Sequence, residues 1–181
     1  MTVSNTKFDG VKIISNPIWY DYRGSFNTTY IESEFNNLVG IYNFIQDNES
    51  ISHEGVIRGF HYQDGEYAQA KLVRVINGSV IDVIVDIRKD SPTFGHSLSI
   101  ELNSDNNIQV MIPRGFAHGF IALEDNTIFS YKIDNIYHPP SERGIIYNDP
   151  TINFDWNRYN TKDLIISDKD LRLPKFKDII F

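Results

Sequence analysis

The stretch from Gly55 to Lys71, GVIRGFHYQDGEYAQAK, sets a histidine, a lysine, an arginine and two glutamines in a region that otherwise reads as β-strand. Val56, Phe60 and Tyr62 are good strand formers, and simple alternation puts Ile57, Gly59 and His61 on the other face. His61 and Gln63 then project from the same side of a sheet. Lys71 opens the next strand, LVRVI, and can return to the same surface. A base and a cation on one concave surface are the minimum equipment for taking a proton from beside a carbonyl. On these residues alone the competing reading is a surface hairpin that carries a tolerated histidine.

Further candidates lie downstream. In IPRGFAHGF (112–120) a proline and two glycines position His118 at the entry to an apolar strand. His118 is either a core histidine donating to a backbone carbonyl or a second imidazole that orients substrate. Tyr131 lies in a strand, where its hydroxyl can enter a barrel, and Tyr137 follows in YKIDNIYHPP; each reads equally well as packing. Asp170, in the charged run SDKD, is unremarkable by itself. Arg23, Arg58, Arg88, Arg114 and Arg143 each sit beside a glycine, a proline or a turn. Arginine grips phosphate through a bidentate fork, so a cluster of them about one cavity would favour an anionic ligand in an otherwise acidic chain. A metal site of the kind found in small β-barrels wants two histidines at spacing two. Here the second is replaced by Gln63, leaving His61, Glu66 and His118 as an incomplete set, and no metal is expected.

These side chains need a scaffold, and the elements are short. The 181 residues suit one domain, 1–181, and the aromatic content of 13% with many Ile and Val residues favours a β-rich fold. Strand candidates recur at 43–48, 57–62, 72–76, 80–87, 98–102, 109–112, 119–123 and 127–132. They are separated by turn chemistry such as Asn77-Gly78, Asp90-Ser91-Pro92 and Pro113-Arg114-Gly115. Earlier, residues 8–20 read as a strand broken at Asn16-Pro17, 21–25 as a turn and 26–30 as a short strand. Val80–Asp86 is apolar except for two aspartates four apart, hence on one face. Ile31, Phe35 and Leu38 have helix spacing, and Gly40 ends that helix. The tail after Pro139 is expected to wrap the barrel and to form one or two short helices near 163–171. Regular short strands of this kind predict an all-β sandwich or jelly-roll barrel. A net charge of −7 argues against a nucleic-acid surface, and no apolar run approaches membrane-spanning length. With no cysteine and no basic, apolar leader in MTVSNTKFDGVKII, the expected location is cytoplasmic.

Together the motifs DYRGSF (21–26), FIQDNES (44–50), GVIRGFHYQ (55–63), YAQAKLVRVINGSVIDVIVDIR (67–88), SPTFG (91–95), IPRGFAHGFIAL (112–123), YKIDNIYHPPSERGI (131–145), NDP (148–150) and SDKD (167–170) carry a resemblance. The chain resembles the dTDP-4-dehydrorhamnose 3,5-epimerases, cupin-type jelly rolls with a few short peripheral helices, in order and across nearly its whole length. The resemblance implies that His61 is the catalytic base and Asp170 its carboxylate partner. It makes Lys71 the group near the C4 oxygen of the sugar, Tyr131 the acid on the opposite face and His118 a second active-site histidine. Arg23, Phe26, Gln46, Asn48, Arg58 and Tyr137 match positions that hold the nucleotide and its diphosphate, some of them from a partner subunit, which implies a homodimer. It implies no cofactor and a dTDP-linked sugar substrate. One position departs: the glutamate usual two residues after the phenylalanine of RGxF is Thr28 here, which bears on nucleotide preference. The alternatives are an epimerase of C3 or C5 alone, a ketoisomerase on the same scaffold, or a non-catalytic cupin that only binds a nucleotide sugar.

Overall fold

The structure, a computed structural model, describes residues 1–159 and 162–179. The chain opens with β1 (Thr2–Asn5) and β2 (Lys12–Ser15), then a hairpin of β3 (Ile18–Asp21) and β4 (Gly24–Asn27), then helix α1 (Glu32–Leu38). The body follows as β5 (Gln46–Ser52), β6 (Val56–Gln63), β7 (Lys71–Asn77), β8 (Ser79–Asp86), β9 (Ser97–Asn103), β10 (Ile108–Ile112), β11 (Phe116–Ala122) and β12 (Thr127–Ile133). The tail contributes β13 (Glu142–Gly144), β14 (Ile165–Ile166) and single 3-10 turns such as Asp170–Arg172.

Two sheets face each other as a jelly roll. One runs β1-β2-β10-β7-β12-β5; the other runs β13-β6-β11-β8-β9, with β14 added in parallel beside β6. The alternation of side chains fixes three apolar layers. Val73, Val75, Val80, Ile84, Val110 and Phe129 fill the space between the sheets. Ile81, Val83, Val85 and Ala117 point the other way and are covered by the tail through Ile145, Ile152, Trp156 and Phe176. Leu72 and Met111 face outward under Phe35 and Val39 of the helix region. A strand buried on both faces needs apolar residues at nearly every position, which is why β8 reads SVIDVIVD and is buried throughout.

Several sequence expectations are corrected here. Within α1 the buried residue is Phe35, joined by Val39 just after the helix, while Ile31 and Leu38 of the expected stripe are exposed. Residues 28–30 lie outside β4, and β5 begins at Gln46 and not at 43. The segment expected to be helical near 163–171 is a two-residue parallel strand followed by one 3-10 turn. Strands β1 and β13 carried no recognisable alternation and were not expected.

The correction that matters most lies in β6. Its pairing with β11 shifts between His118↔His61 and Phe120↔Arg58: between these pairs two residues of β6 stand opposite one of β11. Such a bulge reverses side-chain alternation at one point. Gly59 makes it possible, with φ at +119°; a Cβ there would sit 2.6 Å from the Cα of Gly119. Ile57, Phe60 and Tyr62 therefore go to the outer core, while Arg58 and His61 share the inner face that simple alternation denies them.

Candidate active site

The bulge, the start of β7 and the middle of β11 and β12 converge on one cavity. Its larger lobe, about 540 Å³, is lined by Ser50, Arg58, His61, Lys71, His118, Phe120, Phe129, Tyr131 and Asp170, among others. A second lobe of about 340 Å³ shares His61, Lys71 and Tyr131 and adds Gln46, Asn48, Gln63, Tyr137 and Glu142. Both volumes suit a small organic ligand. His61 and Gln63 do share a side, as the spacing predicts. Gln63, however, is committed to structure: its amide donates to the carbonyls of Tyr67 and Ile136 and accepts from the His138 N–H.

His61 and His118 are direct neighbours across β6 and β11, and each has a carboxylate behind it. His61 Nε2 lies 2.7 Å from Asp170 Oδ1; the tail brings Asp170 in on the 3-10 turn after β14. Asp170 Oδ2 takes the Gly59 N–H at 3.4 Å. Burial pushes the Asp170 carboxyl up, but the His61 hydrogen bond and charge, the Gly59 amide and the Lys169 charge outweigh it and hold it below its ordinary value. An ionised carboxylate only accepts, so Nε2 is the His61 nitrogen that donates to it, and Nδ1 is the nitrogen left for another partner. That is the geometry of an oriented general base. His118 Nε2 lies 2.5 Å from Asp82 Oδ1, and Asp82 is completely buried. His118 thus donates to a side-chain carboxylate, not to the backbone carbonyl that one sequence reading offered.

The opposite sheet supplies Lys71 on β7, Tyr131 on β12 and Gln46 and Asn48 on β5, while Arg58 and Glu142 come from the sheet of His61. Burial brings the Lys71 ammonium down to about 8, with Asp82 and Glu142 as the charges that oppose the fall. Lys71 has no hydrogen-bond or ion-pair partner among the described residues. Tyr131 on β12 is pushed above its ordinary value, first by burial and then by Glu142, against the pull of Arg58, so it keeps its proton at neutral pH. Arg58 is pinned by Nε to Ser52 Oγ at 3.2 Å and by Nη2 to the Ile51 carbonyl at 3.3 Å. Gln46 donates to Asn48 at 2.7 Å, and Tyr137 donates to Glu142 Oε2 at 2.8 Å, which also holds Lys169 at 2.7 Å.

Arg23 and Phe26 are not brought to this cavity within one chain. They lie on the β3–β4 hairpin, where Arg23 pairs with Asp21 and lines a separate surface cleft with Trp19 and Tyr20. Thr28 follows that hairpin. Among the described residues no three histidine or carboxylate side chains are arranged to hold a metal ion, and Glu66 stands outside both lobes.

Residues 5–178 match the family model described as dTDP-4-dehydrorhamnose 3,5-epimerase. The dTDP-4-dehydrorhamnose 3,5-epimerase of Escherichia coli K12 is 45% identical over 181 residues, covering 99% of this chain and 97% of that protein. The chain belongs to the dTDP-4-dehydrorhamnose 3,5-epimerase family. Among solved members and neighbours, the dTDP-6-deoxy-D-glucose-3,5-epimerase of Legionella pneumophila, in complex with dTDP-4-keto-L-rhamnose, is 42% identical with a TM-score of 0.94, covering 99% of this chain and 94% of that one. A 3′-monoepimerase of Streptomyces bikiniensis, in complex with dTDP-quinovose, is 27% identical with a TM-score of 0.88, covering 94% and 85%.

Within this epimerase family chain, sequence reasoning missed Asp82, Glu142 and Lys169 as members of the cavity's charge pattern. Asp82 had a signal, an aspartate in an otherwise apolar run; Glu142 and Lys169 had none, since both sit in polar segments that read as solvated. Arg58, with its guanidinium fixed at the cavity wall, yields a direct expectation. Arg58→Ala should raise KM about 10-fold or more and leave kcat within a few-fold, because a charge-assisted contact to a diphosphate is a ground-state interaction. Steady-state kinetics with the nucleotide sugar checks it; an unchanged KM counts against the contact.

Proposed function

We propose that this chain epimerises C3 and C5 of dTDP-4-dehydro-6-deoxy-D-glucose to give dTDP-4-dehydro-L-rhamnose. One observation carries the reading: the oriented base His61 belongs to one sheet and Tyr131 to the sheet facing it, with Lys71 lining the cavity beside both. Hydrogens on C3 and C5 both flank the C4 ketone. His61 Nδ1 takes the proton, the C–H electron pair moves into an enolate, and the charge collects on the C4 oxygen beside the Lys71 ammonium. Tyr131 returns a proton to the opposite face of the same carbon, which inverts it. Solvent exchange then restores both groups, and the ring is presented again for the second carbon. Arg58, Gln46, Asn48 and Tyr137 hold the nucleotide diphosphate side.

The same reading makes the chain a cytoplasmic homodimer. Arg23 and Phe26 of one copy serve the nucleotide bound to the other, which accounts for two ligand-binding types standing exposed and away from the cavity of their own chain.

Proton NMR of the purified protein with dTDP-4-dehydro-6-deoxy-D-glucose in D2O tests the activity. Loss of both the C3 and C5 proton signals is expected. Loss of one alone identifies a mono-epimerase, and no exchange identifies a binder or a different nucleotide. Tyr131→Phe separates the acid from the base: exchange should persist while inversion falls by about 10²-fold or more. Unchanged epimerisation in that variant removes Tyr131 as the acid.

A further inference from the structure

The Asp82 carboxylate takes no part in the scheme above, yet it lies fully buried in the apolar layer between the sheets, flanked along β8 by Val80 and Ile84. Oδ1 accepts from His118 Nε2, and Oδ2 has no hydrogen-bond partner among the described residues. A carboxylate so placed is a poor structural choice, since an apolar side chain of the same size would pack there without losing hydration. We propose that Asp82 is a positioning residue for the cavity: it fixes the tautomer and orientation of His118 and sets a negative charge behind Lys71, so that both address the C4 oxygen of the sugar. The inference deepens the epimerase reading and rests on it.

Three features support the assignment. With Nε2 committed to Asp82, Nδ1 is the one ring nitrogen of His118 left for a ligand, and it has no partner among the described residues. Lys71 likewise has none, so only the charges around it oppose the effect of burial. Those facing it are Asp82 on β8, Glu142 on β13, His61 on β6, His118 on β11 and Tyr131 on β12. Of the two carboxylates that oppose its deprotonation, Glu142 is already shared with Lys169 and Tyr137, whereas Asp82 keeps one oxygen unspent. Finally, the Asp82–His118 pair repeats the Asp170–His61 pair on the neighbouring strand, so both imidazoles are held by the same device.

The test combines a ring measurement with a variant. In the unaltered protein, ¹⁵N NMR of the His118 ring should show Nε2 protonated at neutral pH; an unprotonated Nε2 overturns the proposal. Asp82→Asn keeps the shape but removes the charge and frees the tautomer. Its kcat should fall about 10- to 100-fold with KM within about 3-fold. The alkaline limb of its pH profile should move to lower pH, because the ammonium has lost a charge that favoured it. A wild-type kcat with an unmoved limb overturns the proposal. Should the variant not fold, the ring measurement decides alone. Turnover by the unaltered protein tests the epimerase reading separately, and the ring measurement judges Asp82 whatever that result.

Discussion

His61→Ala should abolish solvent exchange at both C3 and C5, with kcat lowered about 10²- to 10⁴-fold, the range a positioned acid–base group supplies. The reason is geometric. Across the cavity from Tyr131, His61 is the imidazole whose Nε2 is tied to a carboxylate held below its ordinary value, which leaves Nδ1 as an oriented acceptor. Asp170 is in turn fixed by the Gly59 N–H, and Gly59 forms the bulge that turns His61 inward. His61, Asp170 and the bulge are thus one unit. Exchange in D2O reads the proton abstraction itself, apart from inversion. Substantial residual exchange in the variant would pass the role of base to another group, with His118 next in line.

Lys71→Met should lower kcat about 10²- to 10³-fold, the usual cost of removing one donor from a developing oxyanion. Methionine preserves most of the buried stem, so the protein should fold normally and the loss should fall on kcat more than on KM. The pH dependence offers an independent check. Burial brings the Lys71 ammonium down to about 8, so the charged form dominates below that pH and is lost above it. The active state is the charged one; wild-type kcat should therefore decline as pH rises through about 8, and the methionine variant should lack that limb. A wild-type profile that stays flat to pH 9.5, or a variant that retains the limb, would assign the oxyanion to another group.

How much of this was legible beforehand differs from residue to residue. The strands of the body were readable because Val- and Ile-rich runs are separated by turn residues, and β8 announced its double burial by carrying Val and Ile on both faces. Lys71 was placed correctly at the opening of its strand, and His61 and Gln63 on one side of theirs. Edge elements were less readable. β1, β13 and β14 are two to four residues long and owe their extended form to the strand they pair with, not to their own pattern. The helical expectation for 163–171 held only for the short 3-10 turn at Asp170–Arg172, because the residues before it are drawn into β14 by pairing with β6.

The sequence by itself determined the chemical inventory and the architecture: an all-β jelly roll, an acidic chain without cysteine, and the set His61, Lys71, His118, Tyr131 and Asp170 whose order of occurrence matches an epimerase family. Only the tertiary structure decided which of these groups meet. Arg58 and His61 are three apart, and an ideal strand would send them to opposite faces; a contact between Gly59 and Gly119, sixty residues apart in the chain, reverses that outcome. Asp170 reaches His61 across 109 residues of sequence separation, and Asp82 reaches His118 across 36. Local preferences act over a few residues, whereas the register of paired strands and the path of the tail are fixed by the packing of the whole, and it is these that bring His61, Tyr131 and Lys71 around one cavity.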